Sequence, residues 1–395
     1  MHFIFDFYIS SSTITLLSCV GFCTFFLLIF YRKRISLVTK HHEKCNNQPQ
    51  DTNIQYPSAS IIVYADDEAT NLTQLLPQIL EQEYPAPFEV IVVNDGASES
   101  TRDVVNELEL LYPNLYLTFT PDRSRNLSRK KLALTLGIKA ARHEVVVLIN
   151  ANSRVNSDQW LKLITRNFKE GTEIVIGYAT PNINTDNVLG RRRRAFDRAA
   201  EAITYLSAAI NNNPYRGFSY NIAYKRSCFF ENKGFSRSLN LHYGDDDIFI
   251  NEICNTHNTA VELATESIVE CRFHNHAETH KILKRRYSYT SRFINKGPRY
   301  LMGFYSFIIW MWLLLSISTV LTSLPNLLPS AIVVALGLTL WIPIILTWRK
   351  AMKALQSRKL LLTIPWFIIT RPFYNAKYKL NSKRNYRSNH TWIKR

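Results

Sequence analysis

Cysteine is scarce, with six in 395 residues, at 19, 23, 45, 228, 254 and 271. Six scattered thiols do not make a disulfide scaffold, and they suit a reducing compartment. A chain this long needs no such staples to bury a core. Acidic residues are also few: 31 Asp and Glu face 48 Lys and Arg, a formal net charge of +17. No G-x-G-x-x-G follows the first strand-like run and no G-x-x-x-x-G-K-[ST] occurs anywhere. The dinucleotide-binding and P-loop readings therefore lose their main support. The mean hydropathy of −0.12 excludes a chain that is mostly membrane-embedded. A 46% apolar, 20% charged composition excludes disorder and low complexity.

What is present is strongly segregated. Residues 11–31, 301–321 and 327–348 carry no charge and are rich in Leu, Ile, Val, Phe and Trp. Each reaches the roughly 20 residues that cross a bilayer core. Residues 359–370 are too short and read as an interfacial or re-entrant segment. Residues 1–10 have only Asp6 and no basic region, so the first apolar run is an anchor and not a cleaved leader. Arg32, Lys33 and Arg34 follow the first span, and Arg349, Lys350 and Lys353 follow the third. By the positive-inside rule, residues 1–10 are expected outside, the central domain inside, the 322–326 hairpin outside and the tail 371–395 inside. The expected site is a cell (inner) membrane, with several spans and a cytoplasmic domain. Residues 32–56 read as a linker, 57–276 as the domain, and 277–300 as a basic amphipathic interfacial segment.

The excess charge sits beside the spans. Seven Lys or Arg and no acid lie in 281–299, and eight Lys or Arg and no acid in 371–395. Such clusters attract anionic headgroups of membrane lipids, so nucleic acid is not an expected partner.

The middle alternates strand and helix signals. Runs at 60–64, 89–93, 115–119 and 144–149 are near-continuous in apolar residues. Amphipathic periods at 71–82, 101–111 and 131–142 separate them. This predicts an α/β, Rossmann-like, mostly parallel sheet covered on both faces. Ligands bind beyond the carboxyl ends of such strands. That singles out the polar segments 64–68, 94–98 and 150–153.

Seven pieces then occur in a telling order: SIIVYADDEATNL (60–72), VIVVNDGASEST (90–101), KKLALTLGIKAA (130–141), LINANS (148–153), GFSYNIAYKR (217–226), GDDDI (244–248) and LKRRY (283–287). Over about 57–290 they resemble the family-2 glycosyltransferases, membrane-associated enzymes with a GT-A type nucleotide-sugar fold. The resemblance implies a nucleotide sugar, here a UDP-sugar, bound by Tyr64, Glu68, Asp95, Lys130 and Asn221. Asp95 and Glu68 suit uracil or ribose, and Lys130, opening a helix, suits phosphate. As turn or helix residues, Glu68, Asp95 and Lys130 have plain structural alternatives. The resemblance favours Asp246 as catalytic base, with Asp245 second and Arg286 reaching the diphosphate. Consecutive carboxylates repel, so at least one of Asp245, Asp246 and Asp247 is expected to titrate high. Acids here also suit the start of a helix at 248–254.

The chain departs from that pattern at the metal turn. Asn150-Ala151-Asn152 stands where the family has two aspartates, so Mg²⁺ or Mn²⁺ is expected to bind weakly. Leu283 and Tyr287 replace the Gln and Trp of processive members, and only two spans follow the domain. A single inverting transfer to a lipid-linked or cell-envelope glycan acceptor is expected. The alternative is a catalytically impaired relative that scaffolds polysaccharide assembly. Cys254-x-x-His257 and Cys271-x-x-His274-x-His276 leave a minor zinc reading open.

Overall fold

The computed structural model describes residues 10–48, 55–96, 98–121, 128–182, 186, 188–239, 241–324 and 326–384. Most of the expected N-terminal segment 1–10, part of the linker, and residues 385–395 of the tail lie outside the described residues. The chain opens with helix α1 (Ser11–Asn47). The sheet then builds as β1 (Ala59–Ala65), α2 (Ala69–Leu80), β2 (Phe88–Asn94), α3 (Glu99–Glu109), β3 (Leu115–Phe119), α4 (Arg129–Ala140) and β4 (Val145–Asn150). The short strand β5 (Ser153–Arg154), α5 (Trp160–Thr165), β6 (Ile174–Ile176) and β7 (Ala179–Pro181) follow. Then come α6 (Arg191–Ile210), β8 (Ile222–Lys225), α7 (Arg226–Glu231), α8 (Ile248–Ile253), β9 (Thr259–Val261), β10 (Val269–Cys271) and α9 (His276–Thr290). Three long helices close the chain: α10 (Gly297–Ser323), α11 (Leu327–Ala354) and α12 (Ile364–Arg384).

The main sheet has seven strands in the order β3-β2-β1-β4-β8-β6-β9. β1 pairs in parallel with β2 and β4, and β2 with β3, while β8 runs antiparallel to β4 and β6. Residues 145–150 are buried throughout, as expected of a strand covered on both faces. The helices α2, α3 and α4 each begin two residues before the apolar periodicity does. Glu68, Ser98 and Ser128 stand at their N-cap positions, and Ser98 caps α3 by accepting from the Thr101 amide. Gly137 lets α4 lie close on the sheet, since a Cβ there would come within 2.6 Å of Ile62.

Three helices, α1, α10 and α11, are long and apolar enough to cross a membrane. They pack on one another: Trp312 Nε1 on α10 donates to Thr24 Oγ1 on α1 at 2.8 Å. Their outer faces carry exposed Phe307, Leu314, Ile317, Leu338 and Ile342. In water such a surface would be unfavourable, and in lipid it is not.

Two expected boundaries change. The first helix does not end at the span but continues to Asn47, through the first part of the expected linker. Its last turns dock on the domain, where His41 and His42 bond the carbonyls of Val261 and Leu263. The expected 359–370 segment and the described part of the tail form one helix from Ile364. It is held by a buried charge cluster in which Asp197 of α6 meets Lys284 of α9 at 2.9 Å and Arg371 of α12 at 3.3 Å.

Candidate active site

The carboxyl ends of β1, β2 and β4 deliver Tyr64, Asp95 and Asn150 to one edge of the sheet. Asp95 is a hub. Tyr64 Oη donates to its Oδ2 at 2.8 Å, and Thr120 Oγ1 and Arg129 Nε to its Oδ1 at 2.8 and 3.0 Å. Burial, followed by the charge on Asp95, pushes the Tyr64 phenol well above its ordinary range, so it remains a donor. Glu68 stands at the start of α2, where Asn71 Nδ2 donates to it. It is placed at the rim as expected, with its carboxylate committed in part to that helix.

Lys130 is the junction between the sheet edge and the acidic loop. Its Nζ lies 3.3 Å from Asn150 Oδ1, 3.0 Å from Ser219 Oγ and 3.2 Å from Asp245 Oδ2. The ammonium also sits 5.1 Å from the centre of the Tyr64 ring.

The three acids diverge. Gly244 adopts φ +109°, and a Cβ there would come within 2.6 Å of Ile248, so the turn into the loop requires glycine. Asp245 accepts from Arg286 Nη2 at 2.7 Å. Burial acts to raise its pKa, but Arg286, Lys130 and Lys131 override it and hold the carboxyl below the usual range. Asp246 accepts from the same Nη2 at 2.5 Å, from Tyr287 Oη at 3.3 Å and from the Ser219 amide at 3.4 Å. Asp247 turns away, capping α8 through the Ile248 amide at 2.9 Å and accepting from Thr290 Oγ1. Burial, then Asp246, pushes its carboxyl up to about 6. The repulsion expected among the acids therefore appears at the capping residue.

The loop is held from below by a residue that the sequence did not single out. Lys131 is fully buried, and its Nζ donates to the carbonyls of Leu241 and Tyr243 at 3.2 and 2.8 Å and also to Ser238. Burial lowers its pKa to about 8. Its signal was the second lysine of the KK pair, which the 3.6-residue period puts on the inner face of α4.

Two expected site residues are placed otherwise. Asn221 is not in the site. Its Nδ2 donates to the Tyr178 and Ser267 carbonyls at 2.9 and 2.8 Å, and its Oδ1 accepts from Trp160 Nε1 at 3.2 Å. Both its N–H donors and its carbonyl oxygen are engaged in the core, where the side chain is fully buried. Arg286 faces the acidic loop, with its Nη2 shared by Asp245 and Asp246. Sequence reasoning also missed Ser219, Thr120 and Arg129. Thr120, just beyond the end of β3, was within reach of the strand-end rule.

The metal turn does not offer an anionic cation site. Asn150 Oδ1 faces the Lys130 ammonium, and Asn152 Nδ2 donates to the Arg272 carbonyl at 3.1 Å. The half-buried Tyr220 phenol lies beside both amides, and burial outweighs their effect and pushes it up to about 12. A hard divalent cation prefers charged oxygens, and this turn supplies two amides with a cation already beside them. Among the described residues no three His, Cys, Asp or Glu converge on a metal position, the Cys254 and Cys271 groups included. Cys254 Sγ instead donates to the Pro214 carbonyl at 3.3 Å.

Comparison with known proteins bears on this geometry. Residues 60–241 match the family model "Glycosyl transferase family 2". A poly-beta-1,6-N-acetyl-D-glucosamine synthase of Staphylococcus epidermidis is 26% identical over 138 residues, 35% of this chain and 32% of that protein. An uncharacterized glycosyltransferase of Bacillus subtilis, YkcC, is 26% identical over 164 residues, 41% of this chain and 49% of that one. The alignments thus span a third to a half of these relatives. The solved structure of the mannosyltransferase PcManGT from Pyrobaculum calidifontis, in complex with GDP-Man and Mn²⁺, gives a TM-score of 0.51. It is 16% identical, over 87% of this chain and 96% of that one.

Proposed function

From the premise that the chain belongs to glycosyl transferase family 2 and has a GT-A type fold, we propose that it is a membrane-anchored, inverting glycosyltransferase. The observation that carries this reading is the ion-pair chain from the half-buried Lys130 through Asp245 and Arg286 to Asp246, set against the strand ends that carry Tyr64, Asp95 and Asn150. Burial costs such a cluster its hydration, and its place beside the carboxyl ends of the strands is what points to a use for charge there.

In the proposed reaction a nucleotide-diphosphate sugar, a UDP-sugar, lies across the strand ends, with its base and ribose near Asp95 and Glu68. Asp246 accepts the proton of an acceptor hydroxyl. The oxygen forms a bond to the anomeric carbon as the bond from that carbon to the diphosphate breaks, so configuration inverts. The nucleoside diphosphate leaves with the bonding electrons. Lys130 faces the position where its charge develops, and stabilisation of that charge is the larger part of the catalysis. Arg286 orients the Asp245 and Asp246 carboxylates.

The GT-A relative was solved with Mn²⁺, but the amides of this chain do not form a comparable donor set. No step is assigned to a metal, and a divalent requirement is expected to be weak. The acceptor is a lipid-linked or envelope glycan, and the domain faces the cytoplasm with membrane lipids around α1, α10 and α11. Basic residues after the first and third spans support that orientation. A second reading, favoured by the amide pair, is a non-catalytic scaffold of polysaccharide assembly.

One experiment separates them. The purified full chain in detergent is offered a panel of nucleotide sugars with and without glycan acceptors. Turnover of one donor supports the enzyme, and donor binding without hydrolysis or transfer supports the scaffold.

A further inference from the structure

A cavity between α6, α9 and the segment before β8 has no part in the reaction above. Tyr205, Phe218 and Tyr287 form apolar walls, and Arg198, Arg216, Glu201 and Lys284 supply its charge. Two of those charges cancel nearby. Lys284 lies 3.0 Å from Glu201 and 2.9 Å from the buried Asp197.

The two arginines differ. Arg216 is 8% exposed, with its guanidinium 3.7 Å from the centre of the Tyr287 ring and 5.2 Å from that of Tyr205. Its Nε is buried with no hydrogen-bond partner. Arg198 packs over the Phe273 ring at 5.1 Å. Among the described residues neither guanidinium has a carboxylate within ion-pair distance. A buried guanidinium without a partner is costly, because burial removes its water and nothing replaces it. Aromatic faces recover part of that cost, but they do not satisfy the N–H donors.

The cavity adjoins the acidic loop. Tyr287, which forms its wall, donates to Asp246 Oδ2 at 3.3 Å. The Gly217 amide, next to Arg216 in the chain, donates to the Asp246 carbonyl at 3.3 Å. The half-buried Arg198 and the buried Arg216 carry a formal +2, while Glu201, which also lines the cavity, is ion-paired with Lys284. A phosphate monoester carries about −1.5 to −2 near pH 7 and presents three acceptor oxygens. A guanidinium fork matches that geometry in two parallel hydrogen bonds. A single carboxylate would leave one arginine uncompensated.

We infer that this cavity is a phosphate-binding subsite, in which Arg198 and Arg216 hold a phosphate group of the molecule that presents its hydroxyl to Asp246. The link to the acceptor rests on the reading of Asp246 as base. The phosphate chemistry does not. The phosphate comes either from a membrane lipid or from a soluble ester.

The test measures binding to the full chain in detergent. The probes are dihexanoyl phosphatidic acid, inorganic phosphate and uncharged dihexanoylglycerol, and the variants are Arg198→Gln and Arg198→Lys. The wild type is expected to bind the phosphatidic acid and not the diacylglycerol. Arg198→Gln should weaken phosphate binding about tenfold or more, with Arg198→Lys intermediate, as expected for loss of one charge-assisted partner. An unchanged melting temperature and unchanged UDP-sugar binding would place the loss in the cavity. Stronger binding of the lipid than of inorganic phosphate identifies a lipid source, and equal binding a soluble one. Equal binding of phosphatidic acid and diacylglycerol, or an Arg198→Gln variant that binds as the wild type does, would overturn the inference. Failure of the transfer reading would appear separately, as a wild type that binds phosphate through Arg198 and turns over no nucleotide sugar.

Discussion

Arg286 Nη2 stands 2.5 Å from Asp246 Oδ1 inside the protein, and the two residues are 40 apart in sequence. This contact joins the acidic loop to α9, the helix that leads into α10. Despite burial, which works against the charge, Asp245 and Asp246 keep the guanidinium protonated well beyond its ordinary range. In return the guanidinium, with Lys130 and Lys131, holds the Asp245 carboxyl below its usual range against the effect of burial.

Asp246→Asn should abolish transfer and leave nucleotide binding nearly intact. The amide keeps the shape and accepts no proton, and loss of a general base costs a factor of about 10² to 10⁴. Steady-state turnover and nucleotide titration check this. Retention of more than about a tenth of wild-type turnover would move the base to another residue.

Lys131→Met should loosen the acidic loop from below. The variant fills similar space but leaves the carbonyls of Ser238, Leu241 and Tyr243 without their donor. A buried acceptor left unsatisfied costs about 1–3 kcal/mol. The melting temperature should fall and hydrogen exchange should rise at the amides around Tyr243. A variant as stable as the wild type would show that the lysine holds nothing.

Asp247→Asn should stabilise the protein at neutral pH. The folded carboxyl titrates near 6, above its ordinary 3.8, so the native state binds the proton more tightly than the unfolded chain. Stability from this group is therefore greatest below pH 3.8 and declines as pH rises through about 6. The amide retains an acceptor for the Ile248 amide and does not titrate. Melting curves from pH 4 to 7 should show the variant's advantage growing with pH. A constant difference would remove Asp247 from the titration.

Asn152→Asp should tighten metal dependence. Two amides bring no formal charge to a divalent ion, and one carboxylate would attract it by roughly 4 kcal/mol at about 4 Å and an effective dielectric near 20, before desolvation. Wild-type activity is expected to need millimolar Mg²⁺ or Mn²⁺, and the variant less. Turnover against metal concentration, with a chelator control, decides this. Micromolar saturation in the wild type would mean that carboxylates elsewhere hold the ion.

Single cysteines introduced at Ser100 and Leu324, in a chain whose native cysteines are replaced, test the orientation. Both positions are exposed. An impermeant thiol reagent outside intact cells should label position 324 and not 100. The reverse result would invert the topology.

Much of this molecule was legible in the order of its residues. The runs at 60–64, 89–93, 115–119 and 144–149 coincide with β1 to β4 within about a residue, because the inner parallel strands β1, β2 and β4 are buried on both faces and must be apolar along nearly their whole length, while the edge strand β3 is only partly buried. The three uncharged segments became helices long enough to cross a membrane, because the bilayer sets their length. Asp95 fell at the sheet edge because strand ends are where such folds leave polar groups, and Lys130 reaches the same edge from the first turn of α4. Three neighbouring aspartates, however, share one local composition and have three fates. Asp245 meets Lys130 and Arg286, Asp246 meets Arg286 and Tyr287, and Asp247 caps α8. Asn221 likewise sits in a motif that implied a ligand, yet the packing of Trp160, Tyr178 and Ser267 turned it into the core. Local pattern determines which segments are buried. The partners of Asp245 and Asp246 include Arg286, 41 and 40 residues away, and only the packing of α9 and α4 around the loop decided that.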